Sequence, residues 1–217
     1  VAPQCLRNNI LAMADQQIAL AKDGGNGYIG AKINSLADTV IINKLIEASQ
    51  AGVKVELVIR GICCLIPAVE GLTDNVSVRS IVGRFLEHSR IYIFGKGKDS
   101  SIYISSADYM TRNTIKRVEV AAPITDTKLK ERILKMFDVM LSDNVKARIL
   151  ENDGTYSKQS PDPSEPLINS QEFFYDEAYK LANAKKLRSE RAKAKSSSAT
   201  NKTSKPKRSV TKKSVKK

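Results

Sequence analysis

The chain opens with hydrophobic positions that recur every three to four residues and then changes to short apolar runs. The helical period covers residues 6–22, with Pro3 just ahead and the Gly-rich turn 23–27 just behind. This pattern predicts one amphipathic helix. Apolar runs of strand length follow at 28–33 and 53–59, and the element between them decides how they pair.

That intervening element is a predicted helix. Residues 39–51 have a helical period, Asp38 can cap their first turn, and Gly52 follows their last residue. A strand, a helix and a second strand at this spacing predict a parallel β-α-β unit with a right-handed crossover.

The rest of the domain alternates β-type runs with polar loops. The sequence predicts further strands at 78–82, 91–94, 101–105 and 117–124. The two middle runs are expected to form a hairpin across the turn 95–99. A helix is predicted from residue 127 to about 141, and a turn or short helix at 143–150.

Composition divides the chain into four parts. Residues 1–150 are predicted to form an α/β domain with a mixed β-sheet flanked by helices. Residues 151–169 are rich in Gly, Ser, Asp and Pro and are expected to be a linker, and 170–192 are expected to form a helix. Residues 193–217 consist mainly of Lys, Ser, Thr and Ala, so we expect a disordered basic tail.

The net charge of +13 is not spread evenly over these parts. From Lys180 to Lys217 the chain carries 15 Lys or Arg and one Glu, whereas the preceding 179 residues carry 21 bases and 22 acids. The basic excess therefore belongs to the tail and not to the domain. It predicts salt-sensitive binding of polyanions by the tail.

Cysteine usage and the lack of long apolar runs bear on location. The three cysteines, Cys5, Cys63 and Cys64, are odd in number and lack metal-site spacing. No apolar run approaches the length of a membrane span, and no signal peptide opens the chain. We expect a cytoplasmic location, with peripheral association with the membrane left open. Because the chain begins at Val1 and not at Met, we also expect a piece of a longer protein.

The only histidine, His88, lies just ahead of the predicted strand 91–94. Arg90 is two positions further on, so both side chains would share a face if the strand began there. An imidazole beside a guanidinium suits an anion, because both groups donate hydrogen bonds to oxygen. On this pair alone, a partly buried structural histidine beside an exposed arginine is the favoured interpretation.

A second candidate, Arg60, follows the strand 53–59 and precedes Gly61. Ligands of open α/β sheets bind at the carboxyl ends of the strands, and glycine lets the backbone come close to a ligand. The following run 62–67 is largely apolar, so an unpaired charge beside it would cost stability. A solvated arginine is the alternative, but the position favours a functional role.

Five stretches of the chain carry a family resemblance. They are Lys32–Asp38, Val58–Pro67, Val78–Phe94, Ser105–Asn113 and Arg117–Pro123. In this order across residues 1–150 they resemble the C-terminal catalytic domain of the long bacterial polyphosphate kinases, which make inorganic polyphosphate from ATP. The resemblance implies a phospholipase-D-like fold and a tunnel between two such domains.

The same resemblance implies roles for particular residues. Arg60 and His88 match family positions that contact the phosphates of the nucleotide, and they are the candidate catalytic residues. Other matched bases could line the same tunnel: Lys32, Arg84, Arg90, Arg112 and Arg117. The implied partners are ATP or ADP, polyphosphate, upstream domains of the same enzyme and further copies of the chain.

The chain departs from the family pattern in its single histidine. His88 matches the second family histidine and not the phosphorylated one, so the phosphoryl acceptor would come from an upstream domain. We therefore expect reversible transfer of the ATP terminal phosphate only with that domain present, and inactivity of this chain alone. Mg²⁺ is expected with ATP, although no ligand set is evident and Asp108 is the nearest candidate.

Two other functions stay open. The chain could be a non-catalytic module that binds polyphosphate or nucleic acid through its basic tail. A phospholipase-D-type hydrolase is a further alternative, but that chemistry requires a His-x-Lys motif followed by Asp. Here His88-Ser89-Arg90 is followed by Gly95, so the motif is broken.

Overall fold

The computed structural model describes residues 1–159, 161 and 164–200, with residues 191–200 described by their backbone alone. The chain separates into two compact units, Val1–Gln171 and Glu172–Lys217. The first unit contains the sheet, and the described part of the second is helical.

The described helices are α1 (Leu6–Lys22), α2 (Thr39–Gln50), α3 (Thr127–Leu141) and α4 (Ser170–Thr200). The first five strands are β1 (Tyr28–Ile33), β2 (Lys54–Ile59), β3 (Val76–Ile81), β4 (Arg90–Phe94) and β5 (Ser101–Ser105). The last three are β6 (Ala121–Ile124), β7 (Ala147–Leu150) and β8 (Tyr156–Lys158). A 3₁₀ turn at Gly97–Asp99 and a π-helical turn at Arg112–Lys116 complete the elements of the first unit.

The strands form one mixed sheet in the order β6-β5-β4-β1-β2-β3-β7-β8. Strands β1, β2 and β3 are parallel, and the other pairings are antiparallel. The predicted mixed sheet, the β-α-β unit and the hairpin of β4 with β5 are therefore confirmed. The carboxyl ends of β1, β2 and β3 lie at one edge, together with the first residues of β4 and β7. We call this the carboxyl edge.

Alternation along β1 explains how helices cover both faces of the sheet. Ile29 and Ala31 face the core that contains buried residues of α1 and α2. Gly30 faces the other side, where a Cβ would lie 3.0 Å from the ring of Phe137 in α3. The missing side chain lets α3 pack closely on the strand, and Phe137 is 1% exposed.

Two local predictions differ from the structure. The strand predicted at 117–124 begins only at Ala121, because the preceding residues leave the π-helical turn and make a single bridge from Glu119 to Ala2. Of the turn or short helix predicted at 143–150, no helix forms, because β7 occupies Ala147–Leu150, and a turn is limited to the residues before it. The buried Asp143 carboxylate accepts hydrogen bonds from the backbone N–H groups of Val145, Lys146 and Ala147, which turns the chain into the strand.

The segment after β7 also contains regular structure. Strand β8 lies within the predicted linker 151–169 and pairs with β7. Helix α4 begins at the predicted residue and runs to Thr200, so it includes the start of the predicted disordered tail 193–217. Residues 201–217 of that tail lie outside the described residues. No helix in the described part of the chain is both long and apolar enough to cross a bilayer.

Candidate functional site

The candidate site forms at the carboxyl edge because strand register brings distant residues together. Ile33 of β1 pairs with Ile59 of β2, so the next residues, Asn34 and Arg60, leave the sheet side by side. Gly61 permits this close approach, since a Cβ there would lie 2.7 Å from the carbonyl oxygen of Asn34. The position of Arg60 at a strand end, predicted from the sequence, is confirmed.

Arg60 is oriented by two neutral groups. Its Nε donates a short hydrogen bond to Oδ1 of Asn34, and its Nη2 lies 3.1 Å from Nδ1 of His88. Because a guanidinium can only donate, this contact suits the neutral tautomer in which Nδ1 accepts and Nε2 carries the proton. His88 is exposed and Arg60 is half-buried. The structure thus joins the two candidate catalytic residues, although they are 28 positions apart in the chain.

Arg90 has a different kind of partner. Its Nε and Nη2 donate to the two carboxylate oxygens of Asp108, at 3.1 and 3.0 Å. The side chains of this bidentate pair are only 10% and 9% exposed. Asp108 Oδ1 also accepts from the backbone N–H groups of Asn34 and Ser35, at 2.7 and 3.4 Å. Burial raises the pKa of Asp108, but these hydrogen bonds outweigh it and leave the pKa below its ordinary value.

Two cations hold the segment that carries His88. We call residues 82–89, which join β3 to β4, the His88 loop. Arg90 Nη1 donates to the carbonyl oxygen of His88 at 2.8 Å, and Lys32 Nζ donates to that of Ser89 at 3.0 Å. Lys32 also lies 3.4 Å from a carboxylate oxygen of Glu87. The His88 and Arg90 side chains therefore do not form one pair, and Arg90 supports the backbone of the loop.

Lys32 is almost fully buried, at 3% exposure. Burial lowers its pKa, the Glu87 carboxylate acts in the opposite direction, and the nearby charges of Arg60 and Arg90 lower it further. The geometry gives Lys32 a role in holding the His88 loop. Its contact with phosphate stays a prediction.

The charges at this edge are therefore unequally neutralised. Lys32 and Arg90 each lie within 4.0 Å of a carboxylate. Arg60 has no such carboxylate among the described residues, and its Nη1 makes no hydrogen bond there. A fixed guanidinium with an open donor and an uncompensated charge is suited to a phosphate oxygen.

The other predicted bases lie outside this hydrogen-bonded pair. Arg112 begins the π-helical turn and Arg117 follows it, and both are exposed. Neither side chain forms an ion pair with the described residues, so both remain candidates for phosphate contact. The Arg84 guanidinium lies 5.2 Å from the centre of the Phe85 ring, in the His88 loop.

The candidate Mg²⁺ ligand, Asp108, is engaged within the protein. Both of its oxygens accept from Arg90, and Oδ1 also accepts from Asn34 and Ser35. The described residues contain no group of three or more His, Cys, Asp or Glu that could hold a metal ion. The described part of the chain thus offers no carboxylate cluster for Mg²⁺, and the expectation of Mg²⁺ with ATP stays a prediction.

Three residues of the site were not predicted from the sequence. Asn34 directly follows β1, so the rule that led to Arg60 could also have found it. Glu87 and Gln171 carry no such signal. Gln171 is far along the chain, yet its amide contacts both Phe85 and Glu87 in the His88 loop.

Comparison with known proteins agrees with the resemblance seen in the sequence. A family model described as polyphosphate kinase C-terminal domain 2 matches residues 1–171. The polyphosphate kinase of Staphylococcus saprophyticus is 52% identical over 178 residues, covering 82% of this chain and 24% of that protein. The polyphosphate kinase of Halalkalibacterium halodurans is 46% identical over 183 residues, covering 84% and 26%. The chain therefore spans about a quarter of the length of these curated relatives.

Solved structures give the same result. The crystal structure of polyphosphate kinase from Porphyromonas gingivalis superposes with a TM-score of 0.79 at 33% identity. The match covers 84% of this chain and 28% of that one. A phospholipase D family member from Salmonella typhimurium, Nuc, gives a TM-score of 0.48 at 17% identity, and this weaker similarity adds nothing to the assignment.

Proposed function

The chain belongs to the polyphosphate kinase family, and from that premise we propose that it supplies the phosphate-binding half of a phosphotransfer site. The reaction is the reversible transfer of the terminal phosphate of ATP to polyphosphate. The observation that carries this proposal is the Arg60–His88 contact of 3.1 Å, with no carboxylate neutralising Arg60 among the described residues.

The chemistry requires an acceptor that this chain does not supply. In the proposed mechanism a histidine nitrogen of an upstream domain attacks the γ-phosphorus of ATP. The bond from that phosphorus to the β,γ-bridging oxygen breaks, and ADP leaves with the electron pair. A terminal oxygen of polyphosphate then attacks the phosphohistidine, and the P–N bond breaks. Each step transfers one phosphoryl group and is reversible.

Arg60 and His88 would act on the charge that develops during these steps. Negative charge lies on the equatorial oxygens and on the leaving oxygen in the transition state, and donors aimed there lower the barrier. Arg60 is held by Asn34 and His88, so little side-chain reorganisation is required. The Nε2–H of His88 is a second donor. Arg112, Arg117 and Lys32 are proposed to contact other phosphates.

Mg²⁺ is proposed to enter with the phosphates of ATP. Mg²⁺ in nucleotide sites is commonly bound by one or two carboxylates together with substrate phosphates. Since Asp108 is paired with Arg90, the phosphate oxygens would be its main ligands on this side of the site. A cytoplasmic location and association with further copies of the chain stay predictions.

A second candidate function is polyanion binding by the tail. The 15 Lys or Arg and one Glu from Lys180 to Lys217 favour it, because a chain of bases releases counterions from any polyanion. This function does not require Arg60 or His88, which separates the two proposals experimentally.

The test of the proposed function is a chimaera. Residues 1–171 would replace the matching segment of the Staphylococcus saprophyticus polyphosphate kinase, and polymer formation from γ-labelled ATP and Mg²⁺ would be measured. We expect synthesis by the chimaera and none by the 217-residue chain alone. His88→Ala should lower kcat, and His88→Gln should recover part of it if the role is hydrogen bonding.

Two results would contradict the proposal. Robust synthesis by the isolated chain would remove the need for an upstream acceptor. Unchanged kcat in a folded His88→Ala chimaera would return His88 to a structural role. Circular dichroism of each variant provides the control for folding.

A further inference from the structure

Gln171 makes an unusual set of contacts with the His88 loop. It is the last residue of the first compact unit and is 5% exposed. Its Oε1 accepts from the backbone N–H of Phe85, and its Nε2 donates to the carbonyl oxygen of the same residue, both at 2.9 Å. The same Nε2 lies 2.9 Å from Oε1 of Glu87. One amide thus satisfies both backbone groups of Phe85 and a carboxylate next to His88.

This pairing restricts the loop in the way that a neighbouring strand would. Residues 82–89 have no regular secondary structure, and the amide of Gln171 binds both backbone polar groups of Phe85 within them. A carboxamide can donate and accept at once, whereas a carboxylate can only accept. Glu87 then connects two anchors, because one oxygen meets Gln171 and the other lies 3.4 Å from Lys32.

Gln171 is itself held in place. The preceding Ser170 donates to Asp143 Oδ2 through both its backbone N–H and its hydroxyl, at 2.8 and 2.7 Å. Asp143 is fully buried and also binds the turn into β7. Gly83 makes room for the amide, since a Cβ there would lie 2.6 Å from Oε1 of Gln171.

We propose that Gln171 is a positioning residue for His88: it fixes the His88 loop so that Nδ1 meets Arg60 and Nε2 carries the donor proton. The part that concerns phosphate rests on the function proposed above. The contacts of Gln171 within the protein do not depend on that function, so the positioning role and the phosphate site can fail separately.

His88 allows a direct test because it is the only histidine in the chain. Its imidazole ¹H–¹⁵N signals in the ¹⁵N-labelled 217-residue protein report one residue without assignment. The two tautomers of a neutral imidazole have different nitrogen shifts, so the spectrum identifies the nitrogen that carries the proton. We expect the Nε2–H tautomer in the parent protein and a mixture of tautomers in Gln171→Ala.

Two further variants guard against loss of folding. Gln171→Glu keeps the size of the side chain but removes the donor and places a carboxylate beside Glu87. Gly83→Ala leaves Gln171 unchanged but fills the space of its amide. Both should shift the His88 signals in the same direction as Gln171→Ala. The matched control is Gln50→Ala at the end of α2. It removes an amide hydrogen bond to the carbonyl oxygen of Gly71 and should leave the His88 signals unchanged.

Titration of the His88 signals with inorganic tripolyphosphate adds the functional measurement, because these signals report binding at the loop and not at the basic tail. If the loop occupies its binding geometry about one-tenth of the time without Gln171, the apparent Kd should rise about tenfold. A shifted tautomer together with His88 signals that do not respond to tripolyphosphate in any of the proteins would support the positioning role and contradict the proposed phosphate site. Unchanged His88 signals in folded variants at both Gln171 and Gly83 would overturn the inference.

Discussion

Two arginines at the same edge of the sheet differ in what surrounds their charge. Arg90 is buried against Asp108 in a bidentate pair, and its remaining nitrogen supports the backbone of the His88 loop. Arg60 is half-buried, and its hydrogen-bond partners among the described residues are Asn34 and His88, with no carboxylate there. The first charge is neutralised within the protein and serves the fold. The second is oriented but not neutralised, which leaves it able to bind an anion.

The physical reason for this difference is the cost of desolvation. A buried guanidinium without a counterion is strongly destabilising, so Arg90 requires its carboxylate. A half-buried guanidinium retains some solvent contact, and neutral acceptors can orient it without cancelling its charge. The surrounding structure thus separates residues of the same type into different roles.

The largest expected effect is on the rate of catalysis, which should depend on Arg60. Arg60→Ala in the chimaera is expected to lower kcat by about 10³-fold or more, as for arginines that stabilise phosphoryl transfer in other enzymes. Arg60→Lys should not restore the rate, because an ammonium cannot reproduce the separate contacts that Nε and Nη2 make with Asn34 and His88. Steady-state measurements of kcat and KM test this, and near-parent kcat for both folded variants would contradict it.

The second prediction concerns the free energy of unfolding, which should depend on Arg90. Arg90→Ala is expected to lower the free energy of unfolding by about 3–5 kcal/mol, because it leaves Asp108 buried without its counterion. Urea denaturation of the 217-residue chain measures the change. Lys44→Ala is a control, since its pairs with Asp15 and Glu47 are more exposed and should contribute about 1 kcal/mol or less. Equal losses in the two variants would refute the distinction between the two kinds of pair.

The basic residues from Lys180 onward extend the comparison to a dense run of like charges. Truncation after residue 179 removes the 15 Lys or Arg from Lys180 onward. We expect at least about tenfold weaker binding of long polyphosphate and DNA at low salt, and a shallower dependence of affinity on salt concentration. Binding is measured by fluorescence anisotropy over a salt series. Identical affinities and slopes for the two proteins would exclude the tail from polyanion binding.

Acid titration should give the smallest effect. The pKa of Asp108 is below its ordinary value of 3.8 in the folded chain. The carboxylate therefore contributes stability that is present above pH about 4 and is lost as pH falls through the folded-state pKa. The pKa of Asp143 is also lowered, so Asp108→Asn should reduce the acid-induced loss of stability without abolishing it. Unfolding free energies between pH 5 and pH 2 test this; an unchanged slope would contradict it.

Part of the site follows from local sequence rules. Arg60 could be predicted because an apolar strand ends just before it and Gly61 follows, and His88 because it precedes an evident strand. The partners of these residues could not be predicted in the same way. No metal ligand could be identified from the sequence, and Asp108, the nearest candidate, pairs with Arg90 because β4 and β5 bring residues 18 positions apart together.

The sequence by itself determined the amphipathic helices, the parallel β-α-β unit, the family and the uneven distribution of charge. These features depend on hydrophobic period, capping residues and composition, which are local properties of the chain. Tertiary structure decided which charges are neutralised and which residues hold His88. Gln171 contacts Phe85 across 86 positions, and no local pattern encodes such a contact. It exists only because the turn at Asp143 and the start of α4 bring the two segments together.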